Sequence, residues 1–167
     1  LKDAHIHAEA VGTLFDKSFV VPDFQREYVW DKEHISALLD DVREAMEANG
    51  VGAAATDDGY FLGSIVVYKV DRDTFNLVDG QQRMTTLFLL LCVLRDHWTQ
   101  FDPSQCEPFE QRIVRAQVDS SGATVKRFRV TVQQEDENEV LKAIARGDFG
   151  SLEIGKRDPG RQLCDAY

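Results

Sequence analysis

The chain has 167 residues and a mass of 18.9 kDa, is 43% hydrophobic and 29% charged, and carries a net charge of −10. That composition supports one domain with a sizeable core and excludes a disordered tail. The acidic balance makes a poor non-specific nucleic-acid binder, since phosphate contacts need clustered Lys and Arg, so a nucleic-acid role would need a local basic patch or another domain. Residues 1–100 hold 9 basic and 17 acidic side chains, −8, and residues 101–167 hold 10 and 12, −2. The longest apolar run, 87–94, is too short to cross a bilayer, and nothing resembles a signal peptide, so a cytoplasmic location without a membrane partner is expected. Cys92, Cys106 and Cys164 are far apart in sequence, which fits free thiols and neither a disulfide framework nor a zinc site.

In chain order, Val11, Leu14 and Phe15 predict a short helix over 10–15, and "FVVPDFQREYVW" an extended segment, because Pro22 disfavours helix at Val21. Asp31 is placed to cap a helix whose apolar residues Ile35, Leu38, Leu39, Val42 and Met46 share one face, ending at Asn49–Gly50. Residues 52–59 read as a loop. "YFLGSIVVYKV" and "TFNLVD" read as two strands joined at 71–73, the first apolar on both faces and so central in its sheet. Residues 84–98 are apolar nearly all round, which predicts a core helix. A loop between Pro103 and Pro108 leads to a helix over 109–118, and "VKRFRVTV" alternates as one half-exposed strand. A helix over 135–146 stops at Gly147, and the remainder reads as loop. The fold class is α/β, a small mixed sheet packed with helices. The absence of an initial Met and of a helix stop in "RQLCDAY" suggests a piece of a longer protein.

The functional signal is "DGQQR", Asp79 to Arg83, set between two apolar runs at a strand-to-helix turn. A helix starting there leaves its first N–H groups without partners, and its positive dipole end favours anions. Gly80 allows a sharp turn and close approach of a ligand, and Arg83 can fork onto phosphate oxygens. Asp79 can hold hydrated Mg2+ or a sugar hydroxyl, while Gln81 and Gln82 offer donors and acceptors. The plain alternative is an Asp-Gly turn with a capping aspartate and a surface arginine. In the earlier segment, Gln25 and Arg26 stand among Phe24, Tyr28 and Trp30. The polar pair could complete an anion pocket and the rings could stack on a base, or the rings are core and Arg26 pairs with a carboxylate. Lys126, Arg127 and Arg129 form the one dense basic cluster, either a weak DNA contact or an ordinary solvated strand face. His5 and His7 have no third ligand nearby in sequence and read as solvated terminus.

Three stretches in this order, Val21 to Trp30, Phe61 to Val66 and Asp79 to Leu87, resemble the N-terminal domain of the GmrSD type IV restriction family. Its hallmarks are an "IPxYQRxYxW"-like segment, a "FLGSIV"-like strand and a "DGQQRLTTL"-like turn. This chain differs mildly, with Val21, Phe24 and Met84 where the family has Ile, Tyr and Leu, so a role for that tyrosine hydroxyl does not carry over. The likeness covers residues 14–98 closely and the rest loosely. It implies a ParB/sulfiredoxin-like fold over residues 1–147, with 148–167 opening a helical C-terminal extension. It implies a nucleotide-binding sensor of a phage-defence protein that responds to modified DNA, with NTP hydrolysis as an activity to test. Asp79, Gln81, Gln82 and Arg83 would be catalytic, and Gly80, Arg83, Gln25 and Arg26 would bind GTP or another NTP, with Mg2+ at Asp79. The partners implied are DNA through the full-length protein, a C-terminal HNH-type nuclease domain or subunit outside these residues, and a second copy in a homodimer. The competing expectation is a DNA-binding or assembly module in which the turn is structural. DNA cleavage is not expected of this chain alone.

Overall fold

The computed structural model describes residues 5–49, 60–151 and 160–167. Gly50, the loop expected over 52–59 and residues 152–159 lie outside them. The elements are α1 (Val11–Leu14), β1 (Ser18–Val21), α2 (Lys32–Asn49), β2 (Val66–Lys69), β3 (Thr74–Asp79), α3 (Gln81–Phe101), α4 (Glu107–Ile113), β4 (Val114–Val118), β5 (Thr124–Phe128), β6 (Val130–Val132), α5 (Glu135–Arg146) and α6 (Arg161–Ala166). The main sheet has the order β2-β3-β1-β6, and β4 and β5 form a separate antiparallel hairpin. β1 runs parallel to both β3 and β6, whereas β2 is antiparallel to β3, so the sheet is mixed and the α/β expectation holds.

Three parallel strands therefore end at one edge, at Val21, Asp79 and Val132. Two helices begin at that edge, α3 directly after β3 and α5 shortly after β6. In parallel sheets this is the edge at which ligands bind, because loops and helix N-termini converge there.

α3 is the core helix that its apolar sequence requires. Met84, Phe88 and Cys92 are wholly buried, and Phe15, Leu77, Ile113, Leu141 and Ile144 pack into the same cluster. Burying one such side chain stabilises by about 1.5–3 kcal/mol. Arg95, only 4% exposed, ties α3 to α5: it donates from Nη1 to the Ala145 carbonyl and from Nη2 to that of Ile144 at 3.1 Å. It thereby adds a donor to carbonyls in the last turn of α5, where Ile144 also accepts from the Gly147 N–H, beside its ion pair with Asp96 at 2.6 Å.

Asp31 caps α2 as its position suggested, its Oδ1 accepting from the Glu33 and His34 N–H groups, both at 3.1 Å. The apolar face of α2 is covered mainly around Leu38; Leu39 and Met46 stay exposed. Three expectations are corrected. The strand read over 60–70 is paired only over 66–69, and it is an exposed edge, not a centre. Its apolar run reflects an edge whose side chains face outward. The helix read over 109–118 stops at Ile113, where β-branched Val114 begins the hairpin strand β4. "VKRFRVTV" is two strands: Arg129 separates β5, in the hairpin, from β6, in the main sheet. Alternation shows the side-chain period but not which sheet each half joins. The terminal stretch contains a helix, α6, which the side-chain pattern did not show but which suits the helical extension implied by the resemblance.

Candidate functional site

The turn from β3 into α3 passes through Gly80, at φ +84°. A Cβ there would lie 3.0 Å from the Ser64 carbonyl oxygen and 3.2 Å from the Ile65 Cα. Glycine is thus required by its own chain, which crosses the turn closely, as well as by the left-handed backbone. The helix has no side-chain cap, and Asp79 does not supply one. Asp79 lies exposed at the end of β3, which removes the plain capped-turn alternative.

Around the first turn of α3 the polar residues part in two directions. Gln81 and Gln82, 7% and 6% exposed, face the segment 26–30. Gln82 is a strut: its Oε1 accepts from the Val29 N–H at 2.8 Å and the Trp30 N–H at 3.2 Å, and its Nε2 donates to the Glu27 carbonyl at 3.0 Å. Gln81 donates from Nε2 to the Arg26 carbonyl at 2.5 Å, while its buried Oε1 has no partner among the described residues. Arg83 lies two residues, about 200°, round the helix from Gln81. It faces the segment 63–64, where Nη1 donates to the Ser64 carbonyl at 3.1 Å and the guanidinium lies over Gly63. The structure therefore does not bring Arg83 into the recess beside Gln81 and Arg26.

That recess is lined by Val21, Arg26, Tyr28, Gln81, Gln82, Thr85, Val132 and Glu137, at the C-terminal edge of the parallel strands. Its free volume is about 10 Å³, the room that one water molecule needs. Tyr28 is held by two contacts, its hydroxyl with the Thr86 hydroxyl at 2.8 Å and its N–H donating to Glu137 Oε1 at 2.7 Å. Glu137 is only 4% exposed, and burial holds its carboxyl above the usual range, against the lowering effect of the Tyr28 N–H bond. The Glu27 charge adds to the rise. In the sequence, Glu137 is one of the acids in "EDENE", 135–139, which reads as an acidic helix start suited to the helix dipole. A signal was present: Glu137, Val140, Leu141 and Ile144 fall at i, i+3, i+4 and i+7, which puts the acid at the head of the buried stripe.

Gln25 anchors the segment, donating from Nε2 to the Val78 carbonyl at 2.9 Å, and its own carbonyl accepts from Gln134 Nε2, also at 2.9 Å. Arg26 is exposed, and its guanidinium makes no hydrogen bond or ion pair among the described residues, so the alternative in which it pairs with a carboxylate is not what the structure shows. Of the three rings, Tyr28 is core, Trp30 is half-buried against His34, and Phe24 is 71% exposed. Lys126 and Arg127 stay exposed on the β4–β5 hairpin, but Arg129 turns inward and donates to the carbonyls of Asp16 at 2.6 Å and Gln111 at 3.3 Å. Its guanidinium is thus taken up within the protein. No cluster of three candidate metal ligands exists among the described residues. A lone carboxylate such as Asp79 suits Mg2+ only where phosphate oxygens complete the shell.

The match that decides the family is with the GmrSD restriction endonuclease N-terminal domain, over residues 11–160. The chain belongs to the GmrSD restriction endonuclease family. The GmrSD domain therefore spans both the recess and the hairpin, beyond the three stretches that carry the sequence likeness. No curated protein matches the chain. Among the described residues no helix is long and apolar enough to cross a membrane.

Proposed function

We propose that this GmrSD domain is the nucleotide-binding sensor module of a phage-defence restriction protein, with the recess edge as its site. A nucleoside triphosphate would place phosphate oxygens at the uncapped N-terminus of α3 and against Arg26. Phe24, exposed in the same segment, offers a ring on which a base can stack. Mg2+ would come with the phosphates, and Asp79, at the end of β3, would be its protein ligand. Contact with DNA, and its cutting by a C-terminal nuclease domain, would belong to the full-length protein.

The observation that carries this reading is Gln81, which lines the recess and whose buried Oε1 has no donor among the described residues. Leaving such an atom unmatched costs about 1–3 kcal/mol, which a ligand donor or a bridging water would recover. Gln82 favours a second reading, a DNA-binding or assembly module without nucleotide turnover, because all its bonds hold the 27–30 backbone in place.

Calorimetric titration with GTP, ATP and CTP, with and without Mg2+, separates the two. The first reading expects binding that weakens at least tenfold in Arg26→Ala, with the melting temperature unchanged. A folded protein that binds none of the three nucleotides would support the second.

A further inference from the structure

We propose that Glu137 is the general base of an NTP hydrolysis carried out at this recess, acting on a single water held between its carboxylate and Gln81 Oε1. The inference rests on the nucleotide reading above and deepens it.

Four observations place the chemistry. The recess has room for one water, about 10 Å³. Gln81 lines it, and its buried Oε1 is an acceptor with no donor among the described residues, so a water O–H has a group to point to. Glu137 lines it too, with Oε1 taken by the Tyr28 N–H at 2.7 Å, which orients the carboxylate. Arg26, on the same lining, has no hydrogen-bond or ion-pair partner for its guanidinium among the described residues and carries the charge that phosphate requires.

Glu137 sits in the first turn of α5, where the helix dipole favours negative charge, yet its hydrogen bond does not by itself require a carboxylate. Accepting one backbone N–H needs only an amide oxygen, which glutamine would supply without the desolvation cost of a buried carboxylate near Glu27. A carboxyl whose affinity for protons is raised by burial is better matched to accepting one from water near neutral pH.

In the step, the water oxygen forms a bond to the terminal phosphorus while one of its protons passes to the Glu137 carboxylate. The bond from that phosphorus to the bridging oxygen breaks, and the electron pair leaves with the nucleoside diphosphate. The products are nucleoside diphosphate and inorganic phosphate, and Glu137 then returns its proton to solvent. Arg26 offsets charge on the transferred group.

The test is E137Q, which keeps the acceptor for Tyr28, measured by nucleotide titration, phosphate release and thermal melting on the same protein. The expected result is unchanged nucleotide affinity and melting at or above wild type, with kcat lowered about 100-fold or more. The wild-type pH–rate profile should show an acid limb on which Glu137 titrates among Arg26, Glu27 and Tyr28, and E137Q should lack it. Turnover within a few-fold of wild type, with the acid limb intact, would overturn the assignment while sparing the nucleotide reading. Nucleotide bound but not hydrolysed by the wild type would do the same. If the wild type binds no nucleotide, the site reading falls and this inference with it. Should E137Q melt lower than wild type, Glu137 is structural and the proposal is overturned.

Discussion

Arg83 and Gly63 form a matched pair: a Cβ on Gly63 would stand 2.7 Å from the Arg83 guanidinium carbon. Gly63 also sits at φ +116°. Gly63→Ala should therefore both strain the backbone and push the guanidinium away, lowering stability by roughly 1–3 kcal/mol and the melting temperature by several degrees. Gly12→Ala, at a site with open space around it, is the control and should leave melting unchanged or raise it. Equal melting of the two variants would refute the packing of Arg83 on Gly63.

Gln82 joins α3 to three backbone groups of the segment 27–30. Gln82→Ala should cost at least about 2 kcal/mol in urea unfolding, since it strands part-buried N–H and C=O groups. Amide exchange at Val29 and Trp30 should accelerate in the same variant. A loss under 0.5 kcal/mol, on the order of an ordinary surface change, would show that the strut contributes little.

The pH dependence of stability tests Glu137 independently of any ligand. Its folded pKa is raised from 4.5, so the folded state binds its proton more tightly than the unfolded state does. The stability this lends is fully present below pH 4.5 and is lost as pH rises through the folded value. E137Q should therefore melt above wild type at pH 8, and the gap should close as pH falls toward 4.5. A gap that is constant with pH would contradict the burial of a titrating carboxyl.

Cys92 is wholly buried and its thiol is pushed up to about 12 by burial. Cys106 and Cys164 are half-buried. In the native protein a thiol reagent such as DTNB should modify Cys106 and Cys164 and spare Cys92 until denaturant is added. Modification of Cys92 at the rate of Cys106 would mean that α3 is not packed as described.

What the sequence by itself determined is local. The periodicity of residues 84–98, the capping position of Asp31 and the stop at Gly147 follow from side-chain spacing and backbone freedom, and these elements stand where spacing put them. The turn at Asp79 to Arg83 was legible for the same reason, as five polar or glycine residues between apolar runs. Which way each of the five faces was not legible. Successive residues on a helix diverge by about 100°, so Gln81 and Gln82 meet the segment 26–30 while Arg83 meets Gly63. Sheet order was hidden too, because an apolar strand reads alike at a centre and at an exposed edge, and only pairing distinguishes β2 from β1. Glu137 shows the limit most plainly: its charge suited a helix start, and only the docking of α5 against Tyr28 removed it from water. Desolvation depends on what other elements bring to a residue, and neighbours distant in the chain are what the tertiary structure alone supplies.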